Sequence, residues 1–139
     1  MTRVLLACAL LLASCAAPTT PAPPGTNSPQ TTVALTVNTI ADADQTAVKT
    51  VIALRDQGKL SQANTSAIET WLALVATIDK SVSLILAKPE PWDQQKKEIL
   101  TLLATVTAPA IAGTIDPGAQ AVIAQIQTLL AQLKTLVVP

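Results

Sequence analysis

The sequence has no histidine, phenylalanine or tyrosine, and its two tryptophans, Trp71 and Trp92, are its only aromatic residues. Without histidine it lacks the commonest general base and the commonest metal ligand. Its two cysteines, Cys8 and Cys15, fall within the first fifteen residues, so the rest of the chain can form neither a disulfide framework nor a cysteine-rich metal site. Charged residues make up 13%, against about a quarter in an ordinary globular domain. Nine basic and nine acidic side chains cancel, leaving no basic patch for a phosphate backbone and arguing against nucleic-acid binding. The four glycines are too scattered for a phosphate-cradling loop. The composition therefore predicts a protein without cofactor or metal that is not an enzyme.

Half of the 139 residues are apolar, enough for one core of Leu, Ile, Val and Ala, preceded by an appendage. The appendage begins with Arg3, followed by an apolar run from Val4 to Leu12. That run matches the hydrophobic region of a signal peptide and is well short of the roughly 20 residues a membrane-spanning helix needs. The residues Leu12-Ala13-Ser14-Cys15 then resemble the lipobox of bacterial lipoproteins: an aliphatic residue, two small residues and a cysteine. The resemblance implies removal of residues 1–14 as a lipoprotein signal peptide and acylation of Cys15. Two or three acyl chains form a stable anchor, since each buried methylene contributes about 0.8 kcal/mol. The other reading is an ordinary secretory signal cut near Ala16-Ala17. With Ala16 after the cysteine, the family's sorting rule points to the outer membrane, facing the periplasm, if the host has two membranes. The resemblance covers a processing class and carries no activity.

Residues 15–32 read as the lipidated cysteine and a tether, because residues 16–32 hold five prolines, one glycine and no charge. Such a stretch favours extended polyproline conformations and suits a spacer.

From residue 33 to 139 the spacing predicts an all-α, antiparallel four-helix bundle, with helices of about 20 residues each. Ile68, Trp71, Val75, Ile78, Val82 and Ile85 alternate steps of three and four and share one helix face. Val122, Ile126, Leu129, Leu133 and Leu136 form the corresponding stripe of the last helix. The third helix should start near Asp93 as N-cap, run through Ile99, Leu103 and Val106, and be kinked or ended early by Pro109. The first is the least regular: Val37, Ile40, Ala47, Val51 and Leu54 form its stripe with Asp44 in or beside it. Its start is ambiguous because residues 32–37, TVALTV, alternate like a strand. Residues 99–115 and 117–133 carry no charge, but Thr, Pro109 and Gly113 in the first and the glutamines in the second favour buried bundle helices over a membrane hairpin.

The two halves match as duplicated hairpins around the connection KPEPWD, residues 88–93. Gly58 and Gly113 lie at equivalent places, each followed two residues later by Leu60 or Ile115 and then by a capping Ser61 or Asp116. At the same offset Val48 matches Leu103, Val51 matches Val106, Ile68 matches Ile123, Leu74 matches Leu129 and Ile78 matches Leu133.

Few residues offer chemistry. Asp42 and Asp44 form the only close acidic pair, readable as paired catalytic or metal-binding carboxylates but better as a solvated acidic first turn. Lys80 and Ser81, neighbours on a helix, point apart and cannot act as a serine–lysine couple. Trp71 belongs to the core stripe. Trp92 either caps the open end of the core or forms an exposed partner contact. The expected function is that of a membrane-anchored cell-envelope lipoprotein serving as a non-catalytic interaction module for an envelope protein. The alternatives are a structural, self-oligomerising lipoprotein and an accessory lipoprotein of a mobile element, acting in phage exclusion or lysis.

Overall fold

A computed structural model describes residues 28–138. Cys15, the signal region and most of the tether lie outside the described residues. The fold is all-α: α1 (Pro29–Asp56), α2 (Gln62–Leu86), α3 (Trp92–Leu103) and α4 (Pro117–Val137). Helix α1 packs extensively against both α2 and α4, and α3 packs against α2 and α4 more sparingly.

Helix α1 begins at Pro29, so the last residues assigned to the tether are helical. Ser28 Oγ accepts from the Thr31 amide at 3.2 Å, and Pro29 occupies the first helical position, where its missing N–H costs nothing. The strand-like alternation of TVALTV is overridden by the longer register: Val33, Val37 and Ile40 are all buried on one face. The threonines are accommodated by donating to carbonyls one turn back, Thr36 to Thr32 at 3.0 Å and Thr39 to Leu35 at 3.0 Å.

The α1–α2 turn follows its sequence closely. Gly58 sits at φ +69°. Its amide donates to the Arg55 carbonyl at 2.9 Å, and the Lys59 amide donates to Leu54 at 2.9 Å, which together form a Schellman ending. Leu60 is buried, and Ser61 Oγ accepts from the Asn64 amide at 3.2 Å.

The second connection repeats only the later half of this device. Gly113 also has φ +69°, Ile115 packs against the core, and Asp116 caps α4 by accepting from the Gly118 amide at 2.8 Å. Helix α3, however, stops at Leu103 after 12 residues. Pro109 is the cause: in a continuing helix its ring would collide with the Thr105 carbonyl, and Ala108 before it is pushed away from helical geometry. Residues 104–116 instead form a non-helical strap leading into α4. Val106, matched to the helical Val51, therefore lies in the strap, and Gly113 ends no helix.

Two further expectations are corrected. The N-cap of α3 is Pro91, and Asp93 lies inside the first turn, paired with Lys96 at 2.8 Å. The buried stripe of α4 is Ala119, Ile123, Ile126, Leu133 and Val137, rotated from the expected one, so that Leu136 is exposed and Val122 and Leu129 lie at the seam edges. Apolar residues cover most of this helix, and its own sequence does not single out the inward face.

Both glycines hold a left-handed conformation with no atom within 4 Å of where a Cβ would stand. Gly58→Ala and Gly113→Ala are therefore expected to cost about 1 kcal/mol each through backbone strain alone. Urea unfolding checks this; a lower midpoint at unchanged slope is the expected result.

Candidate functional site

The early end of α3 shapes the surface around the strap. The strap carries no charge between Ala104 and Ile115. Between it and α2 runs a groove of about 600 Å³ lined by Ser66, Ala67, Thr70, Trp71, Leu74 and strap residues 107–110. On its α4 side a groove of about 440 Å³ is lined by Ile111, Ile115, Gln120, Ile123 and Gln127 among others. A third, of about 260 Å³, lies over Trp71, Leu103, Val106, Leu130 and Lys134.

Trp71 lies beneath this surface, 4% exposed, and its Nε1–H has no acceptor. A buried indole N–H usually finds a partner, and leaving one unpaired costs about 1–3 kcal/mol. Trp71 lines two of the grooves, but its N–H is sealed from solvent.

One side chain fastens the strap. Asn64, in the first turn of α2 and nearly buried, donates from Nδ2 to the Ala112 carbonyl at 3.1 Å and accepts from the Ala112 amide at 3.0 Å. This two-way bond is the pairing a neighbouring β-strand would offer. From Thr107 to Ile115, Ala112 is the only residue whose backbone groups are hydrogen-bonded within the described protein. The other backbone groups there are left for water or for an added strand. Nothing in the sequence around Asn64, which stands in the polar triplet Asn64-Thr65-Ser66, signals this clamp.

Trp92 opens α3 half-buried and packs against the core, as a ring closing that end would. Its corner is knitted by polar contacts: buried Gln95 donates from Nε2 to the Lys88 carbonyl at 2.9 Å, and Lys88 Nζ lies 2.6 Å from Glu98. The Glu98 contact holds the Lys88 ammonium above its usual range and the Glu98 carboxyl below.

The acidic pair Asp42–Asp44 is not brought together. Asp42 is exposed, whereas Asp44 is buried on the face of α1 turned toward α2. There it shares a groove of about 380 Å³ with Asp79 of α2. Both have an Oδ1 sealed from solvent without a hydrogen-bond partner. Burial raises the carboxyl pKa of Asp44, and burial together with the Asp44 charge pushes Asp79 up to about 6. The sequence does not reveal this encounter: Asp44 falls in or beside the α1 stripe and Asp79 directly follows the core residue Ile78, but nothing local links the two. Lys80 is exposed, and Ser81 Oγ is bonded to the Thr77 carbonyl at 2.9 Å. Among the described residues no three histidine, cysteine or acidic side chains come together to hold a metal, and no helix is long and apolar enough to cross a membrane.

No family model, no curated protein and no solved structure matches this chain.

Asn64→Ala should cost about 2 kcal/mol, because it removes both strap bonds and leaves the Ala112 groups unpaired within the protein. Thermal unfolding checks this; for comparison, Trp71→Phe should cost less, since it also removes the unpartnered N–H.

Proposed function

We propose that this chain is a lipid-anchored cell-envelope protein that works by binding, with the strap face of its bundle as the contact surface. Lipid on Cys15 and the proline-rich stretch after it would hold the bundle off the membrane. The observation that carries the binding part is the uncharged strap over Trp71, flanked by open apolar grooves and largely free of backbone pairing. Such a surface suits an extended polypeptide, which can bond to exposed backbone groups and place alternate side chains in the flanking grooves. The partner is then an envelope protein offering an extended, largely apolar segment. Trp92, packed on the core, serves stability in this reading.

A second reading, self-assembly, is favoured by one feature on another face. Leu84 is 62% exposed and lies with Ile85 and Leu102 around a groove of about 370 Å³. A second copy could cover this patch.

Two measurements test the proposal. Replacing Cys15 with Ala should abolish palmitate labelling and release the protein from the membrane fraction; persistent labelling contradicts the anchor. A photo-crosslinker at Ala108 on the strap should capture an envelope partner in intact cells, while one at exposed Thr46 on α1 should not. Equal adducts at both positions would contradict the strap as the contact surface. Trp92→Ala should keep the Ala108 adduct while lowering stability by about 2 kcal/mol.

A further inference from the structure

The groove between α1 and α2 holds two carboxylates that no cation or donor among the described residues neutralises. Asp44 is only 9% exposed, and both it and Asp79 present an oxygen that no water reaches and no donor meets. The remaining polar groups of the groove do not answer them. Ser83 Oγ is engaged by the Asp79 backbone carbonyl at 3.1 Å, and the side chains of Asn38 and Gln45 bond to neither carboxylate.

The charged groups on the packed elements leave the pair equally alone. On α1, Asp42 and Lys49 are exposed and Arg55 pairs with Asp56 and Glu69. On α2, Lys80 lines the groove but forms no ion pair with either carboxylate among the described residues. The one charged residue of α4, Lys134, lines the groove over Trp71 instead.

Two like charges cannot both persist in a partly dry seam at low cost. The cheapest neutralising species is a proton, which removes one of the two charges from the seam. We propose that the buried pair Asp44 and Asp79 retains one proton in the α1–α2 seam, and that its loss on going from mildly acid to mildly alkaline solvent loosens this hairpin. The pair acts as a pH-sensitive latch, independent of the lipid anchor and of the strap.

The direction follows from where the protons sit. Burial keeps both folded-state carboxyls protonated to higher pH than in the unfolded chain, and the Asp44 charge adds to this at Asp79, which is pushed up to about 6. The folded chain therefore holds more protons than the unfolded one between about pH 4 and that value, and stability falls as pH rises through this window. Asp93 and Glu98, held low by Lys96 and Lys88, act in the opposite sense and only as pH falls below about 4. The result is a stability maximum on the acid side of neutrality.

The test is a carboxyl carbon NMR titration of the full chain, with melting temperature followed over the same pH range. The wild type should show one of the two aspartates titrating well above the ordinary carboxyl range, and a melting temperature lower by about 5 °C at pH 8 than at about pH 5. In Asp44→Asn, the titration of Asp79 should shift down toward that of an ordinary carboxyl. In Asp79→Asn, at the less buried position, the fall in melting temperature should disappear; this variant serves alone if the first does not fold. Two ordinary carboxyl titrations in the wild type, or an undiminished fall in Asp79→Asn, overturns the latch. Recovery of the acid-side melting temperature at pH 8 on adding millimolar calcium chloride would also overturn it, by showing that the seam takes a divalent cation in place of the proton.

Discussion

The fold depends on one long apolar face. Helix α1 presents Val33, Val37, Ile40, Ala47, Val51 and Leu54 along its 28 residues, and both α2 and α4 pack against it. The core contains neither phenylalanine nor tyrosine, so close packing must come from branched aliphatic side chains meeting in register. Leu54 near the end of α1 lies 3.7 Å from where a Cβ on Gly118 would stand, which ties that end to the start of α4. The single polar break in the face is Asp44, at the seam with α2. The helix that organises the core thus also carries one of the two unpartnered carboxylates of the seam.

The distinctive surface comes from a local failure of the same pattern. Had α3 continued to the length of its neighbours, residues 104–112 would have covered α2 and α4 as another helical stripe. Pro109 prevents this, and the chain crosses the gap as an uncharged strap fastened to α2 through Asn64. Trp71 remains buried but is covered by a thin, open layer, and its N–H goes unanswered. Binding on this face would use what the interrupted helix left behind: apolar grooves and free backbone groups.

Much of this was legible in the sequence, for identifiable reasons. The α2 stripe is buried at all six expected positions because charged and small polar residues fill its other face. The Gly58 and Asp116 devices could be read because glycine, aspartate and proline act through backbone chemistry that needs no tertiary context. The inward face of α4 was not legible, since its apolar residues extend around most of the helix. The end of α3 was only half legible: Pro109 announced a break, but stopping at Leu103 depends on how far a helix must retreat before a proline. The Asp44–Asp79 encounter joins residues 35 positions apart, and only the register between α1 and α2 brings them together. Cys15, whose lipobox resemblance is the most specific motif in the chain, lies outside the described residues.

The account turns on residues 104–116 being a non-helical strap whose later part is fastened at one point. Amide hydrogen exchange, residue by residue, tests this most directly. The Ala112 amide should be protected, the amides of Thr107, Ala108, Ala110 and Thr114 should exchange rapidly, and those of α1, α2 and α4 should be slow. Uniform protection from Leu103 through Ala112 would show a continuous third helix, and with it the strap, its grooves and the proposed binding face would be gone.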